Sequence, residues 1–206
     1  MTGAEHRILH AAMRLFADRG GTQVAVSDLA KEAGIARGTI YNNISDVCGL
    51  YDAVCNMMAD EMAENLTASV ADVYDPAQKL SDIVRLCLRR VHEEPHWGRF
   101  IARYAMGEPR LGSYWRYAPA EELRKGLASG RFEFAPEQVA SITATFGGAT
   151  FGAMTLILNG NRTWRQAGTD TAELLLRSVG LPRDEARILA STEISPLPRI
   201  EIFKAA

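Results

Sequence analysis

"AGIARGTIYNNI", residues 33–44, is the stretch whose reading decides the fold. Gly34 and Gly38 stand four residues apart, followed by a threonine, a tyrosine and two asparagines. It is too polar for a core segment and carries no catalytic dyad. Residues 26–33 upstream read as a short helix, and a helix of about seven residues begins near Arg37. A helix, a sharp glycine turn and a second short helix are helix-turn-helix punctuation. Gly34 suits the turn because a positive φ there carries no Cβ clash. Leu29, Ala30, Ile35 and Ile40 are the apolar positions that face the preceding helix.

The polar set on the last helix is Arg37, Gly38, Thr39, Tyr41 and Asn43. Arginine pairs with guanine, asparagine with adenine, a threonine methyl with a thymine methyl, and a tyrosine hydroxyl with phosphate. Gly38 removes a side chain where a backbone would approach closely. On this pattern alone two readings stand: a DNA-reading helix, or a helical hairpin with a polar, solvated face.

Working outward, helical period dominates and strand signals are nearly absent. Ile8, Ala12, Leu15 and Phe16 mark a first helix over residues 3–19, stopped by Gly20 and Gly21. Ser45 and Asp46 are expected to cap a long fourth helix, with a stripe from Val47 through Leu50, Tyr51, Val54, Met58, Met62 and Leu66 to Val70. Further helices are expected over 76–91, 95–106, 119–130, 136–158 and 170–179, with a short one near 183–191. The tail, 194–206, holds two prolines and is expected to be extended.

The chain has 206 residues, 47% of them hydrophobic, and a net charge of −2. That suffices for a small domain fused to a medium one and excludes a uniformly basic nucleic-acid or membrane binder. Cys48, Cys55 and Cys87 lack metal-knuckle spacing and read as reduced thiols of a cytoplasmic protein. The N-terminal segment has no apolar run of leader type. Residues 138–158 carry no charge over 21 positions, enough to span a bilayer. Four threonines and three glycines in that run favour a helix buried at the centre of a soluble assembly, with no membrane partner.

The region from about residue 5 to 55 resembles the tetracycline-repressor-type (TetR) family of bacterial transcriptional regulators. The family pattern is a first helix ending F-x-x-x-G, then D-I-A-x-x-A-G-V-S-x-G-T-L-Y-x-H-F-x-x-K-x-x-L. This chain has Phe16 to Gly20, then "DLAKEAGIARGTIYNNISDVCGL". Asp28, Ala30, Ala33, Gly34, Gly38, Thr39, Tyr41 and Leu50 match. Ala36, Asn43, Ile44 and Val47 replace the usual serine, histidine, phenylalanine and phosphate-touching lysine, and Ser27 stands where a basic residue is frequent. Residues 1–50 hold five basic and five acidic side chains, five minus five, so few phosphate contacts and a shallow salt dependence are expected.

The resemblance implies an all-α protein. A three-helix DNA-binding domain occupies residues 1–48, and a larger helical ligand-binding and dimerisation domain occupies 49–206. It implies a homodimer through the last two long helices, where Gly148 and Gly152 permit close approach and Leu174, Leu175, Leu176 and Val179 supply apolar surface. A ligand-responsive repressor on a double-stranded inverted-repeat operator follows, with Ser27, Arg37, Gly38, Thr39, Tyr41 and Asn43 at the DNA. A pocket for a small-molecule effector is also implied, with candidate lining residues Met62, Phe100, Arg103, Tyr104, Trp115, Tyr117, Phe146, Thr150 and Met154. An inward Arg103 would pair a ligand carboxylate. The alternative is a helical dimer of this type that binds a small molecule or protein but has lost DNA binding.

No cofactor, metal site or catalytic residue is assigned. "HEEPH", residues 92–96, fits the zinc-protease pattern H-E-x-x-H in letters only, because Pro95 is expected to end one helix and start another. His6 and His10, four apart, are expected on a solvated helix face.

Overall fold

The structure, a computed structural model, describes residues 2–44 and 46–195, without the side chain of residue 116. The expected cap at Ser45 and most of the extended tail lie outside the described residues. Among those described there is no strand. The helices are α1 (Gly3–Arg19), α2 (Val26–Ala33), α3 (Arg37–Asn43), α4 (Leu50–Ser69), α5 (Pro76–Glu93), α6 (Pro95–Tyr104), α7 (Pro109–Ala128), α8 (Val139–Leu158), α9 (Trp164–Ser178) and α10 (Arg183–Ser191). A 3₁₀ turn at Pro136–Gln138 leads into α8.

Local chemistry sets most of these boundaries. Thr2 accepts from the Glu5 N–H at 3.1 Å while Glu5 accepts from the Thr2 N–H at 3.2 Å, a capping box that starts α1. Gly20 ends the helix at φ 77°. Asp75 accepts from the Ala77 N–H at 3.0 Å, and Pro76 fills the first helical position of α5.

Three boundaries differ from the sequence expectation. Helix α4 begins at Leu50, because Asp46 accepts from the Cys48 N–H at 2.8 Å and closes a turn ahead of the helix. Helix α7 begins at Pro109 and runs through Pro119, which the sequence reading took for a helix start. Leu111, Tyr114 and Trp115 are buried on this earlier part, so packing outweighs the lost N–H. Helix α9 begins at Trp164, where Thr163 and Gln166 form a T-x-x-Q capping box.

Helices α1, α2 and α3 pack together, with Ile8, Phe16, Leu29 and Ile40 fully buried. Each such side chain contributes about 1.5–3 kcal/mol by leaving water. Helix α5 is the centre of the larger unit and packs against α6, α7, α8, α9 and α10. Leu50, Val54, Met58, Met62 and Leu66 of α4, and Val70 just beyond it, are buried as the stripe predicts, whereas Val47 and Tyr51 of that stripe are half-buried. It packs on α1 at one end and α7 at the other.

Only one face of α8 packs within the chain. Val139, Thr143, Phe146, Thr150, Ala153 and Met154 are buried, while Ser141, Thr145, Gly148, Gly152, Thr155 and Leu156 face outward. Thr145 and Thr155 donate their hydroxyls to the Ser141 and Phe151 carbonyls, which leaves the outward face small and without free donors there. Helix α8 is long and apolar enough to cross a membrane, but its inner face is core. On α9, Leu175, Leu176 and, just beyond it, Val179 are buried, so of the expected greasy residues only Leu174 is outward, at 62% exposure.

Candidate nucleic-acid interface and effector cavity

Gly34 takes φ 65° and gives its N–H to the Ala30 and Lys31 carbonyls, which turns the chain from α2 into α3. Arg7 of α1 donates to the Ala33 carbonyl at 2.9 Å and closes the end of α2. Ile40 is fully buried beneath α3, and Ile35 and Ile44 are half-buried beside it. With this seam inward, Arg37, Gly38, Tyr41 and Asn42 are exposed, Tyr41 at 64%. Thr39 is half-buried, and so is Ser27 near the start of α2.

Two assignments shift. The Asn43 amide donates to the Thr39 carbonyl at 2.9 Å, and its oxygen accepts from the Thr2 hydroxyl at 3.1 Å. It therefore ties α3 to the start of α1, and Asn42 is the asparagine that faces outward. Neighbouring letters had hidden this, since only the packing of α3 on α1 separates them. A Cβ on Gly38 would meet nothing within 4 Å, so nothing inside the chain requires a glycine there.

The neutral charge total of residues 1–50 conceals an uneven distribution. Arg14 pairs with Glu32 at 2.6 Å and Arg19 with Asp28 at 2.6 Å. Asp18 pairs with Arg99 of α6 at 3.2 Å. Glu5 and Asp46 are spent on caps. Lys31 and Arg37 remain exposed with no carboxylate partner among the described residues.

A cavity of about 960 Å³ lies between α7 and α8, with Ala105 and Met106 also in its lining. Trp115, Tyr117 and Phe151 supply aromatic walls, Thr143 and Gly147 the floor on α8, and Arg124 and Glu137 charged groups. The Trp115 indole N–H is buried and has no acceptor among the described residues. Of the candidate pocket residues, Trp115 and Tyr117 line this space. Met62, Phe100, Phe146, Thr150 and Met154 do not; all are buried core. Each satisfies helical periodicity, which encodes burial and not the presence of a hollow. Sequence reading missed Phe151, Thr143 and Arg124, for which no local signal existed.

Arg103 and Tyr104, also candidate lining residues, do not line the cavity, and Arg103 is exposed, so the condition for pairing a ligand carboxylate there is not met. Arg103 donates to the Ala17 carbonyl at 3.0 Å. The Tyr104 hydroxyl lies 3.2 Å from both the Phe16 and Gly21 carbonyls. Both side chains grip the C-terminal end of α1, and the next two residues, Ala105 and Met106, line the cavity.

His6 and His10 are not on a solvated face. His10 is buried, and the two Nε2 atoms, 3.2 Å apart, meet Glu61 of α4. Glu61 Oε1 lies 3.2 Å from His10 and 3.4 Å from His6, and Arg90 of α5 approaches Oε2 at 3.4 Å. Burial pushes the Glu61 carboxyl upward, but the His10 hydrogen bond and the neighbouring positive charge outweigh it and hold it below the usual range. Burial, then the proximity of His10, lowers His6. The H-E-x-x-H letters fall on two helices: α5 ends at Glu93, α6 starts at Pro95, and His96 turns to Asp18 at 3.2 Å.

Comparison with known proteins agrees with this architecture. The family profile described as "Bacterial regulatory proteins, tetR family" matches residues 8–43. The profile "Tetracyclin repressor-like, C-terminal domain" matches residues 75–192. An uncharacterized HTH-type transcriptional regulator of Mycobacterium tuberculosis is 32% identical over 92 residues, 45% of this chain. That match spans about half of the relative's length, 46%. The crystal structure of RolR in complex with resorcinol superposes with a TM-score of 0.70 at 25% identity, covering 95% of this chain and 96% of that one. The fatty acid degradation regulator FadR from Bacillus halodurans shares the fold, with a TM-score of 0.74 at 17% identity over 88% of this chain and 99% of that one. A helix-turn-helix head on a helical body, matched by both profiles over these spans, makes this chain a member of the TetR family of transcriptional regulators.

Proposed function

We propose that this chain is a cytoplasmic, homodimeric repressor that binds an inverted-repeat operator and responds to a small molecule. The observation that carries the reading is the outward face of α3. Arg37, Tyr41 and Asn42 have no partner among the described residues, and a Cβ on Gly38 beside them would meet none of those residues within 4 Å. A two-fold axis through the outward faces of α8 and α9 would place two such helices on successive major grooves. Residues 1–48 would form the DNA-binding unit and 49–206 the effector and dimer unit.

The cavity supports an effector that is flat and largely apolar, held between the aromatic side chains of Trp115, Tyr117 and Phe151. The likeness to a resorcinol-binding regulator points the same way. The route to the DNA head is short. Ala105 and Met106 wall the cavity, and Arg103 and Tyr104 immediately before them hold α1. An effector that binds one placement of this segment better than another shifts α1, and α2 and α3 with it.

The test is to incubate the pure protein with a random duplex pool at moderate salt and sequence what is retained. Recovery of an inverted repeat, lost with Tyr41→Ala, is expected. Recovery of nothing at low salt from a folded dimer would favour a binding module that no longer engages DNA.

A further inference from the structure

The three-sided cluster where α1, α4 and α5 meet has a geometry that hydrogen bonding alone does not use well. His6 Nε2, His10 Nε2 and Glu61 Oε1 form a triangle with sides of 3.2, 3.2 and 3.4 Å. All three atoms lie within reach of one another, and each imidazole offers only one Nε2 site, for a proton or for a metal. Four donors about 2.0–2.1 Å from a zinc ion at tetrahedral angles lie about 3.3 Å from one another. The triangle is therefore one face of such a tetrahedron, with no side chain needing to move far.

We propose that His6, His10 and Glu61 form a binding site for a divalent transition-metal ion of the zinc class, with water as the fourth ligand. The donor set suits that class, being two neutral imidazoles and one carboxylate. Residues at i and i+4 of one helix turn two rings to one side, and the His6 and His10 ring centroids are 4.3 Å apart. Glu61 comes from a different helix and is presented through one oxygen, because Arg90 approaches the other at 3.4 Å. Such outer partners orient metal ligands. The charges around the site are Glu61, Arg90 and, on the far side of Arg90, Glu94 at 3.3 Å. An ion there would bond α1, which carries the DNA-binding head, directly to α4 of the larger unit, so occupancy would stiffen the joint between them.

The experiment uses tag-free, metal-stripped full chain, titrated with Zn(II) against a chromophoric chelator, with Co(II) as a spectroscopic probe. One ion per chain, an intense visible cobalt band of tetrahedral type and a zinc-dependent rise in thermal midpoint are expected. His6→Ala, at the half-buried edge of the cluster, should keep its helical dichroism and lose affinity by at least about tenfold. Glu61→Gln should lose it as well. Absence of stoichiometric binding at micromolar Zn(II) would overturn the site. So would binding that survives His6→Ala and vanishes with Cys48→Ser, which would place the ion on the exposed thiol. Neither outcome depends on whether the chain binds DNA.

Discussion

Arg103 of α6 donates its Nη1 to the Ala17 carbonyl at 3.0 Å, across 86 residues of sequence. The bond satisfies a carbonyl in the last turn of α1 that the helix itself leaves without a partner. It also brings the guanidinium over Gly20, where a Cβ would lie 2.8 Å from Nη1. Gly20 is fixed by its φ of 77°, while the guanidinium tip, at the end of a flexible side chain, could move aside. Gly20→Ala is expected to cost about 1–2 kcal/mol, read as a drop of about 2–4 °C per kcal/mol in thermal midpoint. Arg103→Ala should cost less, about 1 kcal/mol, because the arginine is solvent-exposed. Its larger effect should be on coupling: once an effector is found, its influence on operator affinity should shrink while its own binding persists.

Tyr41 separates DNA binding from folding. It is 64% exposed and has no hydrogen-bond partner among the described residues. Tyr41→Ala should change stability by no more than about 0.5 kcal/mol, while operator binding falls. Arg37→Ala should weaken specific binding by about 1–3 kcal/mol if the guanidinium reads a base. If it touches phosphate, the slope of log affinity against log salt should flatten by about one instead. Fluorescence anisotropy at several salt concentrations distinguishes the two.

The cysteines should differ sharply in reactivity. Cys48 is exposed, whereas Cys55 and Cys87 are buried. Burial pushes the Cys55 thiol up to about 12 and raises Cys87 further, so neither offers a thiolate near neutral pH. Iodoacetamide on the native protein should label one site, and mass mapping should place it at Cys48. Denaturant should release the other two.

Asp75 gives the fold a pH-dependent contribution. Burial raises its carboxyl, but the Arg131 guanidinium, at 3.0 and 2.9 Å, and the Ala77 N–H outweigh this and leave it below its ordinary value. A carboxyl lowered in the folded state contributes stability that is fully present above its unfolded value of about 3.9 and is lost as pH falls through the folded value. Asp75→Asn keeps a capping side chain and removes the charge. It should lower stability by about 1 kcal/mol at neutral pH. The gap from the parent should close as both are acidified below about pH 3.9 and past the folded value. Urea melts at a series of pH values measure it.

The outward face of α8 should govern assembly. A Cβ on Gly148 or Gly152 would meet nothing within 4 Å in the single chain, so these glycines carry no requirement from its own packing. Gly152→Arg should leave the helical dichroism intact and convert a dimer to monomer in sedimentation, with loss of operator affinity. A chain that stays dimeric would place the two-fold interface elsewhere.

Much of the head was legible because its signals are local. Gly20 and Gly34 mark the two positive-φ turns, and Leu29, Ile35 and Ile40 a seam set by periodicity; the capping box of Thr2 and Glu5 was equally local and was missed. Thr163-x-x-Gln166 was equally readable and was overlooked. Pro119 misled, since a proline reads as a boundary unless burial on both sides overrides it.

By itself, then, the sequence determined most of the helices, their apolar stripes and the glycine turns, because each depends on residues within a few positions of one another. Tertiary structure alone decided what the long polar side chains do. Arg103 and Tyr104 sit at helical spacing beside Phe100 and read as pocket residues, yet their partners are carbonyls more than 80 positions away. His6 and His10 read as solvated until Glu61 arrives from α4. Periodicity states which face is covered; it cannot state which element covers it, and the chemistry of a polar group is set by that second element.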